Sequence, residues 1–316
     1  MATTARRRRE AATAGAAPRS GPNITPYLFI LPHLLVFSIF VGYPFFNGLY
    51  ISFMQYDYLR PESNRFVGLQ NYVNLFTPNV VQYQVFWNSL INTMEFVVYS
   101  VPFLVVIPLG LALLLNTRIR GSNIFRAIYF APWALSGAVV ALLWWWIFQS
   151  QGGLINHYLA DAGLTAPRWL STMPWAWVAV VVCTVWWTCG FNMIILLAAL
   201  QDIPDYVYEA ASIDGATGAQ SFWRITLPLL RPVLIFIIVT SIIASFNLFI
   251  QPFIMTNGGP AQAGGGGATE PVMLRIYREG FERNLQGSAA AMSFVTALIM
   301  IAFSYANFRI FREREG

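Results

Sequence analysis

The chain has 316 residues, of which 57% are hydrophobic and only 10% charged, with a formal net charge of +5. A soluble domain carries roughly 25% charged residues, so this composition cannot cover a water-facing surface and excludes a soluble globular protein. The apolar residues gather in six blocks, about 27–53, 90–115, 124–149, 175–200, 232–254 and 287–308, each long enough for the ~20-residue helix that a bilayer core demands.

The chain opens with a basic run, Arg6 to Arg9, and an Ala/Gly/Pro-rich stretch. Residues 1–25 read as a disordered cytoplasmic tail. A cleaved export signal is the alternative, but the apolar block that follows is too long for a signal core and carries no small-residue cleavage site. The six blocks read as helices, because open strands cannot satisfy their backbone in lipid and a barrel would show short alternating segments. Pro32, Pro44, Pro102, Pro108 and Gly110 fall inside them, as membrane helices tolerate. The class is therefore all-α: a polytopic membrane protein of six transmembrane helices.

All 19 basic residues are Arg. With the N-terminus inside, thirteen fall in the tail, at Arg118, Arg120 and Arg126, at Arg224 and Arg231, and at the C-terminus, where residues 313–316 form a short tail; Arg60, Arg65, Arg168, Arg275, Arg278 and Arg283 fall outside. That excess places both termini in the cytoplasm. Tyr27, Tyr43, Tyr50, Trp87, Trp133, Trp175 and Trp177 lie near span ends, and Trp144, Trp145 and Trp146 late in the third span. They read as interfacial aromatic belts. Glu95 lies inside the second span. It is either a functional intramembrane carboxylate or a group that pairs with a polar neighbour or reaches the headgroups.

Enzyme motifs are missing. A Walker phosphate loop needs a Lys, and the chain has none. His33 and His157 are too far apart in sequence for a zinc helix, and Cys183 and Cys189 lie six residues apart on one span, which fits neither a redox pair nor a metal cluster. No GxSxG elbow appears. The chain reads as no enzyme, with no metal and no cofactor of its own.

The segment 201–231, between the fourth and fifth blocks, is polar. Pro204 suits the first turn of a short helix, with Asp205 and Glu209 following. Tyr206, Ala210 and Ile213 recur on one side of that helix, and Gly215 and Gly218 end it. A second short helix presents Phe222, Ile225 and Leu229, and Pro228 and Pro232 begin the fifth span. The result is a compact projection with small Ala residues beside fixed acids.

Glu209-Ala210-Ala211, Asp214-Gly215-Ala216, Gln220, Phe222, Ile225, Pro228 and Pro232 together resemble the EAA loop of bacterial ABC importer permeases. Leu31-Pro32 with Tyr43-Pro44, Phe66 to Tyr72, Phe125-Arg126 with Tyr129-Phe130 and Pro132-Trp133, and Thr256 to Pro260 are similar to the carbohydrate-uptake subgroup of maltose and glycerol-phosphate type. The resemblance covers roughly 25–312. It implies the type I permease fold, in a bacterial or archaeal cell membrane. It implies a second permease subunit in a heterodimer, two cytoplasmic ATP-binding subunits that hold the ATP and Mg, and an extracytoplasmic solute-binding protein, with no nucleic acid as partner. Glu209 and Asp214 would be polar contacts to the ATPase, and Ala210, Ala211 and Gly215 would allow the close fit. ATP binding would draw two such loops together and open the cavity outward.

By position, the solute path of a sugar or related small polar solute resembles Trp187, Thr188, Phe191, Ser241, Ser245, Phe246, Asn247 and Gln251. The Ser and Asn side chains read equally as glue between helices. Two departures stand out. Gly190-Phe191 replaces a Pro-Phe common in the family, and the run Gly264 to Gly267 suggests a flexible outer loop. A secondary transporter is the alternative class, but no clear internal repeat appears, and the EAA loop would have no purpose in it.

Overall fold

The computed structural model describes residues 25–117 and 121–312. The expected N-terminal tail up to residue 24, Arg118, Arg120 and the C-terminal residues 313–316 lie outside the described residues. The chain divides into two units, Met1–Tyr50 and Ile51–Gly316.

In the first unit, helix α1 (Thr25–Phe37) passes through a wide π turn (Ser38–Gly42) into α2 (Tyr43–Ser52). The wide turn lies just before Pro44, which has no N–H to return to the preceding turn, and such bulges absorb that defect.

The second unit begins with a two-residue antiparallel ribbon, β1 (Met54–Gln55) against β2 (Arg65–Phe66), and a short helix α3 (Gln70–Phe76). The second span is α4 (Val81–Asn116), which starts well before the expected residue 90. The fourth span is α8 (Trp175–Gln201) and the sixth is α13 (Gln286–Arg312). Five helices among the described residues are long and apolar enough to cross a membrane, and a broken pair makes a sixth.

That pair replaces the single helix expected over 124–149. Helix α5 (Ser122–Phe130) and a 3-10 turn (Ala131–Ala134) meet α6 (Gly137–Ile147) at 98°. The break has a local cause. Leu135 and Ser136 are extended, and Ser136 caps the new helix by accepting from the Val139 N–H at 3.4 Å. Hydropathy cannot register a cap inside an unbroken apolar run. Helix α7 (Leu154–Asp161) follows outside the spans.

Helices α4 and α8 form the centre. Phe96, Leu104, Trp177, Val180 and Val185 pack together in one half, and Ala112, Leu115, Met193, Leu196 and Leu200 with Leu230 and Ile237 in the other. Pro108 removes the N–H that would bond the carbonyl of Leu104. Asn192 of α8 supplies the missing donor at 2.9 Å. A buried Asn thus satisfies a proline's orphan acceptor across a helix pair.

The fifth span is less simple than expected. Helix α10 (Gly218–Ser221), a π turn (Phe222–Thr226) and α11 (Leu227–Phe246) run as one 29-residue helix. The expected second short helix and the span are therefore continuous; the π turn accommodates Pro228. At its far end the helix stops at Asn247, resumes in a π turn (Pro252–Thr256), and ends on Asn257 in the left-handed region at φ 47°. Beyond it, α12 (Val272–Tyr277) and a π turn (Arg278–Glu282) lead to α13.

Candidate functional site

The polar loop folds as a capped helical elbow. Helix α9 (Asp205–Ile213) starts after Pro204 in extended conformation. It ends on a Schellman turn: Ala216 N–H bonds the Ala211 carbonyl at 2.9 Å and Gly215 N–H the Ser212 carbonyl at 3.1 Å. Gly215 sits at φ 75°, where an L side chain is strained. Thr217 and Gln220 then form a reciprocal capping box that starts α10. The Tyr208 hydroxyl lies 3.0 Å from that of Thr226 and ties the back of α9 to the base of the fifth span.

The faces of α9 are distinct. Tyr206, Glu209, Ala210, Ile213 and Asp214 are exposed, and Ile213 is 86% exposed. Ala211 is buried. Expected as part of the close fit to a partner, Ala211 instead lets α9 approach its own chain, because helix periodicity turns it away from Ala210. Gly218, expected to end α9, lies in α10.

The eight solute-path positions separate into two sets. Ser241, Ser245, Phe246 and Gln251 are buried within the chain. Ser245 donates to the Ser241 carbonyl at 2.8 Å, and Phe246 packs with Leu90, Val101 and Ile242. Phe246 thus packs the fifth span against the second, Ser245 bonds within its own helix, and all four side chains are covered in this structure. Trp187, Thr188, Phe191 and Asn247 keep exposed or half-exposed surface. Thr188 donates to Thr184 and Asn247 to Ile243, both carbonyls one turn back, which leaves the Thr hydroxyl and the Asn amide oxygen as acceptors for a solute.

Trp133 was expected as a belt residue and as part of the carbohydrate-uptake resemblance, and was not among the solute-path positions. It stands on the 3-10 turn where the third span breaks, its ring 4.8 Å from Phe191 and 5.4 Å from Trp187. Trp187 donates its indole N–H to the Leu135 carbonyl at 3.2 Å, at that same corner. The three rings form one partly exposed aromatic surface. The close approach depends on Gly190, whose missing Cβ would lie 1.9 Å from the Tyr129 carbonyl oxygen. The Gly-for-Pro departure thus gives α8 a contact point with α5 while α8 stays unbroken.

A cavity of about 1150 Å³ opens between α4, α5, α6 and α8. Its lining is apolar, including Tyr99, Pro102, Trp144, Trp177 and Trp186, and includes none of the eight solute-path positions. Beside it, Glu95 accepts the Trp177 indole N–H at 3.2 Å, so the intramembrane carboxylate pairs with a polar neighbour.

Long apolar helices, one of them broken, and a capped elbow between the fourth and fifth spans define a multi-pass membrane transport permease. Residues 105–313 match the family described as binding-protein-dependent transport system inner membrane component, and the chain belongs to that family: it is the membrane permease subunit of an ABC importer. It is 33% identical over 294 residues to the probable ABC transporter permease protein YurN of Bacillus subtilis, covering 92% of this chain and 97% of that one. It is 35% identical to the trehalose/maltose transport system permease protein MalF of Thermococcus litoralis, covering 91% and 94%. It is 34% identical to the sn-glycerol-3-phosphate transport system permease protein UgpA of Agrobacterium fabrum, covering 93% and 97%. The fold matches a chain of a bacterial ABC transporter involved in the import of the acidic polysaccharide alginate, with TM-score 0.78, 24% identity and coverage of 92% and 95%.

Proposed function

We propose that this chain forms half of the path by which a sugar or related small polar solute enters the cell, in a pair with a second, non-identical permease. The names of its relatives support the solute class: trehalose/maltose, sn-glycerol-3-phosphate and arabinooligosaccharide transport. Two cytoplasmic ATP-binding subunits, which hold ATP and Mg, seat on the elbow. A solute-binding protein delivers from the other side, and both termini face the cytoplasm.

One observation carries the reading. Tyr206, Ala210 and Ile213 present an uncovered face on a helix whose caps fix its shape. That helix is hitched through Tyr208 and Thr226 to the base of the fifth span. An exposed apolar face of this kind on the polar side of a membrane protein marks a docking surface. Glu209 and Asp214 flank it with charge, and Gly215 keeps the turn. Closure of the ATPase pair on this handle turns the fifth span and shifts the path between inward- and outward-open states. The path side chains are Trp187, Thr188, Phe191 and Asn247, with Trp133 completing the aromatic surface. Sugar rings bind by apolar contact on such faces and by hydrogen bonds to the Asn and Thr.

The test is ATP hydrolysis by the purified complex in lipid, with the solute-binding protein loaded with trehalose, maltose or glycerol phosphate. Stimulation by one loaded protein is expected. Uptake by this chain that needs no ATPase subunit would assign it to secondary transport instead.

A further inference from the structure

Among the described residues, the buried charged side chains are Glu270, Arg275 and Glu279. They lie within ten residues, at the end of the molecule opposite the elbow. Burying charge is costly unless partners offset it, so such a cluster needs a reason.

The contacts form a continuous chain. Arg278 Nη2 donates to the Asn257 carbonyl at 2.9 Å and to Asn257 Oδ1 at 2.7 Å. Arg278 Nη1 lies 3.3 Å from Glu270 Oε1, which lies 3.9 Å from Arg275 Nη1. Arg275 Nη2 pairs with Glu279 Oε2, and the Ser288 hydroxyl donates to Glu279 Oε1 at 3.2 Å. Asn257 ends the fifth-span segment; Ser288 lies in the first turn of the sixth span. The polar chain therefore joins those two ends directly.

It is also pinned to the second span. Asn92 of α4 donates to the carbonyls of Gly267 at 2.8 Å and Glu270 at 3.1 Å, and Thr93 accepts the Val272 N–H at 2.9 Å. The Gly264–Gly267 run, expected as a flexible loop, is thus held at its end.

We propose that Asn257, Arg278, Glu270, Arg275, Glu279 and Ser288 form a brace that makes the far ends of the fifth and sixth spans move as one body with the adjoining part of α4. The inference rests on the permease reading above. The fifth span is one continuous helix from the elbow to Phe246 but breaks at Asn247. A pull on the elbow would be lost at that break unless the segment beyond it were fastened to something. Charge-assisted hydrogen bonds hold geometry at the Asn257 end, where Arg278 donates, and at the sixth-span end, where Glu279 accepts from Ser288; the pairs through Glu270 between them act by charge attraction without a hydrogen bond. These six are positioning residues; none of them belongs to the solute surface.

The test uses the full complex in lipid with Arg278→Met. That change cuts the brace between Asn257 and Glu270 and leaves the buried Arg275–Glu279 pair in place. Two readouts are taken: ATP hydrolysis with and without loaded solute-binding protein, and the distance between spin labels at Ala261 and Phe281 in nucleotide-free and ATP-trapped complexes. In the natural protein the label distance stays constant between states. In the variant, basal hydrolysis stays within about twofold, stimulation falls about fivefold or more, and the distance distribution broadens. A fully assembled Arg278→Met complex with undiminished stimulation overturns the brace, as does a label distance that changes between states in the natural protein.

If Arg278→Met does not assemble, Ser288→Ala decides by the stimulation of hydrolysis, since it removes only the hydroxyl that ties Glu279 to the sixth span. Failure of both to assemble assigns the cluster to folding and also overturns the brace. Unstimulated hydrolysis in the natural complex speaks instead against the permease reading.

Discussion

Replacing Gly190 with Ala tests how the third and fourth spans meet. The new Cβ would lie 1.9 Å from the Tyr129 carbonyl oxygen, 2.5 Å from its carbon and 2.9 Å from the Phe130 Cα. All three are backbone atoms, so no side chain can swing aside. To restore ordinary contact, α5 must retreat from α8 by about 1.5 Å. Helix propensity favours Ala over Gly by roughly 0.8–1 kcal/mol, whereas overpacking of this kind costs about 1–3 kcal/mol. The clash wins, because a retreat of α5 also separates Trp133 from Phe191. Gly110→Ala in α4 is the control: its Cβ meets nothing within 4 Å, so propensity acts alone and the change is neutral or mildly stabilising. Denaturant titration in mixed micelles reads the stability, and uptake in proteoliposomes reads the path. Gly190→Ala is expected to lose stability and uptake together. If it matched the Gly110→Ala protein in both, the close contact between α5 and α8 would not exist.

The remaining predictions concern the elbow and the path. Gly215→Val forces a β-branched residue into φ 75°, at a cost of about 1–2 kcal/mol. The membrane domain should fold while the ATPase subunits co-purify at reduced yield; full yield with full transport would remove Gly215 from the coupling turn. Trp133→Ala deletes one ring of the aromatic surface and should raise the KM of uptake about 2- to 13-fold, with assembly intact. Asn247→Ala should lower uptake without loss of complex, whereas Ser245→Ala, a change at a buried packing position, should alter stability more than KM.

The spans were legible because a long unbroken apolar run finds a stable place in a bilayer and in little else. The start and end of the elbow's first helix were legible because Pro204 and Gly215 specify their turns locally; the Thr217–Gln220 capping box went unread. What escaped depends on partners distant in sequence. Nothing in the Leu104–Pro108 stretch names Asn192 as the donor to the orphaned carbonyl. The break at Ser136 is hidden by apolar neighbours on both sides. Ala210 and Ala211 look alike in sequence, yet one is exposed and the other buried. Arg275, Arg278 and Arg283 served only as topology markers, although each has an acid four residues away, a spacing that already suggests pairing. Ser241 and Ser245 were candidates for the path because polar groups in a span are costly; the cheaper solution, a bond to the preceding turn, satisfies Ser245.

The central claim is that the α9 face is a cytoplasmic handle gripped by the ATPase. The most direct measurement places a cysteine at Ile213, the most exposed apolar position on that face. The two native cysteines, Cys183 and Cys189, are buried and leave little background. A membrane-impermeant maleimide should label Ile213→Cys in inside-out vesicles, should fail in intact cells, and should be blocked when the ATPase subunits are bound. Labelling from outside the cell, or labelling unaffected by bound ATPase, would contradict the account.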